Sequence, residues 1–135
     1  MRRADVFFYG LFMDEDLLRS KGVRAEGGEL AMVEGFTLRI GQRATLVPTP
    51  GGRVHGLVFT LSLSELNRLY SEPSVQAYRP TAVLARLASG GLIAALCYNL
   101  SQPQSARERN PEYAAKLRAL AQKIGLPDEY VASLE

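Results

Sequence analysis

Apolar residues in this chain come mostly as short runs cut by glycine or proline, and at helical spacing in only a few places. The first run, Val6-Phe7-Phe8-Tyr9, ends at Gly10 and reads as a buried strand turning sharply. Asp14 is a natural N-cap for a short helix carrying Leu17 and Leu18, which Gly22 would close. Glu29 to Gly35, Phe36 to Ile40, Ala44 to Val47 and Val54 to Leu61 follow as strands. Pro48-Thr49-Pro50-Gly51-Gly52 reads as a loop or tight turn between the last two. Gly56, inside the strongest of these runs, marks a bulge or a close approach to the backbone.

Ser62-Leu63-Ser64-Glu65 has capping-box spacing, so a helix with Leu63, Leu66, Leu69 and Tyr70 on one face is expected there. Pro73 stops it, because the residue before proline avoids helical geometry. A loop from Glu72 to Pro80 leads to a strand over Thr81 to Leu87. Ser89-Gly90-Gly91 turns the chain, and Leu92 to Leu100 returns as the partner strand. Residues 101–109 are polar and linker-like. Asn110-Pro111-Glu112 sets N-cap, N1 proline and first-turn acid in order. The helix it opens carries Tyr113, Leu117, Leu120, Ala121 and Ile124 and ends at Gly125; a last turn holds Tyr130, Val131 and Leu134. About seven short strands, mostly joined by turns, with helices inserted rather than alternating, predict an α+β fold. Its sheet should be small, mixed or antiparallel, and curled towards a barrel. Residues 1–135 read as a single domain, with a core over 5–100 and a C-terminal helical extension over 110–135.

Composition narrows the function. At 135 residues the chain can bury a sizeable core without staples. A net charge of +2, with arginines scattered, argues against nucleic acid. The apolar runs fall short of the roughly 18 residues of a membrane span, and the one after Met1-Arg2-Arg3 is too short for a signal peptide. A single cysteine, Cys97, forbids an internal disulfide and argues against a Cys-based metal site. With His55 it could form a nucleophilic pair, but a lone Cys in an apolar run is ordinarily packing. A cytoplasmic protein without metal or cofactor is expected.

Tyr9-Gly10 after an apolar strand resembles the Tyr-Gly-Ser/Thr loop of the γ-glutamylcyclotransferase-like (AIG2-like) family. Leu11 and Phe12 stand where that family has a small hydroxyl residue and Asn or Leu. Further resemblances run in order along the chain. Val33-Glu34-Gly35-Phe36-Thr37-Leu38, residues 50–59, Ser64-Glu65-Leu66-Asn67-Arg68-Leu69, Tyr78-Arg79 with Val83, and Ala95-Leu96-Cys97-Tyr98 are each similar to family segments. Tyr70 replaces an aspartate of the family helix.

The resemblance implies a curled sheet around a pocket near Tyr9-Gly10 that takes a γ-glutamyl compound or other small carboxylate. It also implies release of 5-oxoproline and a free amine without a cofactor. The substrate's own amine attacks its γ-carbonyl, a step favoured by proximity, and one carboxyl group can move the proton. Backbone amides over Tyr9, Gly10, Leu11 and Phe12 would hold the substrate's carboxylate, with Tyr78 also lining the pocket.

Between Glu34 and Glu108 the acidic residues are Glu65 and Glu72. Glu65 has work in the capping box, which leaves Glu72 as the candidate proton shuttle. Counting back from Tyr78-Arg79 puts Glu72 in the family's catalytic position; counting forward from Leu69 puts Pro73 there. Arg39 and Arg43 flank a turn and could attract a carboxylate. Two readings stay open: a cyclotransferase working through Glu72, and a non-catalytic relative that keeps fold and pocket for small-molecule binding.

Overall fold

The protein, a computed structural model, is described over residues 2–102 and 105–135. Pro103 and Gln104, in the expected polar linker, lie outside the described residues. Among the described residues five strands form the sheet: β1 (Arg3–Phe8), β2 (Glu26–Ile40), β3 (Ala44–Ser62), β4 (Tyr78–Leu87) and β5 (Leu92–Leu100). Their order around a closed barrel is β1-β3-β2-β4-β5. All pairings are antiparallel except β1 with β5, which meet in parallel at Val6 and Leu96.

The α+β barrel matches the expected class, but the strand count does not. The runs expected as four separate strands between Glu29 and Leu61 are two long ones. Gly35 does not end a strand, and 48–52 is not a turn between strands. Glu34 pairs with Arg53 and Phe36 with Pro48, so residues 49–52 bulge opposite Gly35 while the ladder continues on both sides. A bulge absorbs extra residues without ending the pairing, and a proline there loses no ladder bond.

Side chains finish the closure where the ladder between β3 and β5 is absent. Thr45, fully buried, accepts the Leu100 amide at 2.9 Å. The Asn99 side-chain oxygen accepts the Leu46 amide at 3.2 Å. At Gly56 the backbone of β1 comes so close that a Cβ would stand 2.2 Å from the Phe8 carbonyl oxygen. The close approach anticipated at this glycine is therefore made by β1. Val6, Phe7, Val54, Phe59, Leu61, Ala85 and Cys97 belong to the core and have almost no exposure.

Among the described residues four α-helices attach to this barrel: α1 (Glu15–Ser20), α2 (Leu63–Leu69), α3 (Pro111–Ile124) and α4 (Asp128–Ser133). Asp14 caps α1, accepting the Asp16 and Leu17 amides. Ser62 and Glu65 form the reciprocal capping box of α2, and Asn110 caps α3 with Pro111 following. Glu65 also accepts the Arg24 amide at 2.7 Å, tying α2 to the segment before β2. The start of α1 is thus fixed by Asp14 after the end of β1, and the entry to α2 by its capping box beside Arg3 at the start of β1. The helix α3 brings Ala114, Leu117 and Ala121 onto the core.

Candidate functional site

The chain leaves β1 through Tyr9 and Gly10 into a single 3-10 turn, Leu11–Met13, before α1. That turn is closed by the Met13 amide on the Gly10 carbonyl and the Asp14 amide on the Leu11 carbonyl, each at 3.0 Å. Gly10, Leu11 and Phe12 then floor a cavity of about 400 Å³. Gly10 has φ −116°, so it is not needed for a left-handed backbone. Space explains it: a Cβ there would lie 2.6 Å from the Tyr113 hydroxyl.

Tyr113 comes from the first turn of α3 and lines the cavity beside the loop. Burial raises the Tyr113 phenol, and the Leu11 amide pulls the other way. The loop therefore has a neutral hydroxyl packed close against it at Gly10.

Tyr9 belongs to the same wall, but its hydroxyl faces the barrel. It donates to the Tyr98 carbonyl at 2.7 Å, with the Asn99 side-chain oxygen at 3.0 Å as the other acceptor. Burial, with the Cys97 thiol and neighbouring phenols adding to it, raises the Tyr9 phenol well above its ordinary range. Tyr78 also lines the cavity and donates its hydroxyl to the Ala44 carbonyl. Burial pushes it up to about 12.

Tyr70 follows α2 and stacks on Tyr98 with ring centres 3.9 Å apart and an angle of 8°. Phe12 meets Tyr70 edge-on at 5.8 Å. At neutral pH all these phenols are neutral, so the cavity offers aromatic faces rather than anions.

Its carboxylate is Glu72, the sole acidic residue lining the cavity among the described residues. Ser74 and Val75 line it too; the exposed Pro73 does not. Of the two counts along the sequence, the one made back from Tyr78 is the one that lands on a cavity residue. Lys21, at the C-terminal end of α1, holds both Glu72 oxygens with its ammonium, at 2.8 and 3.1 Å. Arg43 reaches the cavity from the turn between β2 and β3.

Sequence reasoning did not select Lys21, Tyr70 or Tyr113 for the site. Lys21 had no motif around it, Tyr70 was visible as a departure from the aspartate, and Tyr113 read as a packing residue. Cys97 is fully buried, with its thiol pushed up to about 12 by burial, while His55 lies edge-on to Tyr130 at 4.9 Å. Nothing activates that thiol as a nucleophile.

The family model described as "Gamma-glutamyl cyclotransferase, AIG2-like" matches residues 6–116. The chain belongs to this family. Solved structures agree in fold. One titled "Gamma-glutamyl cyclotransferase" superposes with a TM-score of 0.81 at 23% identity, over 99% of this chain and 89% of that one. An uncharacterized protein from Homo sapiens gives 0.80 at 25% identity, over 100% and 89%. YkqA from Bacillus subtilis gives 0.81 at 22% identity, over 98% of this chain but only 52% of its own length. Comparison with curated proteins gives no match. The family match runs through β1, the loop, Glu72 and the first turn of α3, so every element of the cavity lies inside it. No helix among the described residues is long and apolar enough to cross a membrane.

Proposed function

We propose that this protein is a γ-glutamyl cyclotransferase, converting a γ-glutamyl amine or peptide to 5-oxoproline and the free amine, with Glu72 as its proton shuttle. The observation that carries this reading is that Glu72, the one carboxylate lining the cavity among the described residues, shares that cavity with Gly10, Leu11 and Phe12. The substrate's α-amine nitrogen bonds to its own γ-carbonyl carbon, and the bond from that carbon to the leaving nitrogen breaks. The proton lost by the attacking nitrogen passes through Glu72 to the leaving nitrogen. No water, oxidant or reductant enters the balance. The loop end and Tyr113 provide donors for the substrate's carboxylate, and the aromatic wall of Tyr70, Tyr78 and Tyr98 takes the apolar part of the chain.

The test is Glu72→Gln, which preserves shape and removes proton transfer. Release of 5-oxoproline from a panel of γ-glutamyl amines and dipeptides should fall about 10²–10⁴-fold, with little change in substrate binding. Full activity in the variant would sink the role of Glu72.

A second reading, a non-catalytic small-molecule binder, is favoured by one specific feature. Leu11 brings an apolar side chain to the cavity where the family has a hydroxyl. Such a pocket suits a ligand with an apolar body and one anionic end. Thermal-shift measurements over small carboxylates and γ-glutamyl compounds separate the two. Stabilisation solely by γ-glutamyl compounds counts against the binder, and a wild type inert on the whole panel counts against the enzyme.

A further inference from the structure

A carboxylate base facing an amine nucleophile carries a built-in fault. At neutral pH the free α-amine is largely an ammonium, because its ordinary pKa is about 7.7–8.0. A nearby carboxylate stabilises that charged, unreactive form further. The better the base grips the amine, the less of the nucleophile it leaves available.

The Lys21–Glu72 contact answers this fault, and we infer that Lys21 is a positioning residue of the site that keeps Glu72 charge-balanced so that the α-amine can meet it unprotonated. The inference rests on the cyclotransferase reading above. Two observations and one property of carboxylates carry it. Lys21 bonds both Glu72 oxygens rather than one, so its ammonium sits centrally on the carboxylate. A carboxylate has about four acceptor positions, so two remain for a substrate N–H. The lysine side chain is only 26% exposed and lines the same cavity, so its charge is felt by whatever enters.

The anchoring is firm on both sides. Lys21 ends α1 with its amide on the Leu18 carbonyl, and the Val23 amide bonds that same carbonyl, each at 3.0 Å. The neighbouring carboxylates are engaged elsewhere. Glu15 and Asp16 pair with Arg19, and Glu65 serves the α2 cap and the Arg24 amide. Other titratable or charged groups facing the cavity are Arg43 and the phenols of Tyr9, Tyr70, Tyr78, Tyr98 and Tyr113. Burial keeps those phenols neutral in the range where an α-amine titrates. They therefore do not produce the effect assigned to Lys21.

With Lys21 in place the bound amine feels a positive charge beside the negative one, and its own protonation is disfavoured. The free amine then attacks as described, giving its proton to Glu72. Ground-state attraction for a substrate ammonium is correspondingly weakened.

The experiment compares wild type, Lys21→Met and Lys21→Arg on γ-glutamyl-alanine, following 5-oxoproline release from pH 5.5 to 10. In Lys21→Met the acid limb of the pH–rate profile should move about 0.5–1 unit towards alkaline pH. At pH 7 kcat should fall while KM holds or drops. Lys21→Arg should return the limb towards its wild-type position. A Lys21→Met enzyme that loses rate evenly at every pH, with the limb unmoved, would mean that the lysine merely braces the loop, and the inference would fall while the cyclotransferase reading stood.

If the wild type releases no 5-oxoproline, the reading itself falls, and the intact compound then reports on Lys21 directly. An NMR titration of its ¹⁵N-labelled α-amine, bound to wild type and to Lys21→Met, decides the point. A lower amine pKa in wild type upholds the charge-balancing role; equal values, or no binding, overturn it.

Discussion

The Tyr113 hydroxyl lies where a methyl group on Gly10 would have to go, 2.6 Å from the position of its Cβ. The clash is with the far end of a side chain, so the hydroxyl can yield while the loop stays. Gly10→Ala should therefore push the Tyr113 hydroxyl away from the loop and leave the barrel intact. The expected result is a KM for γ-glutamyl substrates raised about tenfold, worth about 1.4 kcal/mol, with an unfolding temperature close to wild type. Steady-state kinetics and calorimetry on the same sample check it. An unchanged KM would show that the Gly10–Tyr113 contact is not part of substrate binding.

Tyr70 is the departure from the family helix with the largest structural consequence. Its ring is stacked on Tyr98, meets the edge of Phe12, and lies 6.2 Å from Tyr78. Tyr70→Ala should remove that centre and cost about 3 kcal/mol, the lower end for loss of a large aromatic because the residue is only partly buried. For a chain of this length that corresponds to a fall of roughly 10 °C in Tm. Scanning calorimetry measures it, and a shift under about 3 °C would mean the stack contributes little to stability.

Alkaline pH should unfold the protein through its phenols. Burial raises Tyr9, Tyr70 and Tyr78 in the folded state, Tyr78 to about 12. Unfolded tyrosines ionise near 10. The stability these groups contribute is therefore complete below about pH 10 and is lost as pH rises from there towards 12. Denaturant midpoints should decline across that window alongside the growth of tyrosinate absorbance. Tyr78→Phe cannot ionise, so its decline should be shallower. An equally steep decline in that variant would assign the loss to other groups.

The local signals in the sequence were strong where one residue decides the geometry. Asp14, the Ser62–Glu65 box and Asn110-Pro111 each set a helix start by satisfying backbone amides, and each lies where it was expected. Gly56 announced a close approach, and the approaching backbone is that of Phe8. The bulge at 49–52 was misread because proline and glycine signal a break without saying whether the ladder resumes. Glu72 could be found by elimination among the acids, whereas Lys21 could not. Its relation to Glu72 exists only after α1 and the segment following α2 have been brought together. Tyr113 was hidden for the same reason, since a tyrosine on the apolar face of a helix reads as packing until the loop beneath it is known.

The hydrogen bond from Tyr9 to the Tyr98 carbonyl joins positions 89 residues apart. Beside it, β1 meets β5 at Val6 and Leu96. The first strand of the barrel thus has its neighbours in β3 and β5, and it must wait for both. Closing so long a loop costs chain entropy before any of these contacts repays it. Folding dominated by such distant pairings runs on a scale of milliseconds to seconds, slower than helical proteins of similar size. Since Tyr9 also begins the loop that floors the cavity, the binding site should mature late, with barrel closure as the step that sets its rate.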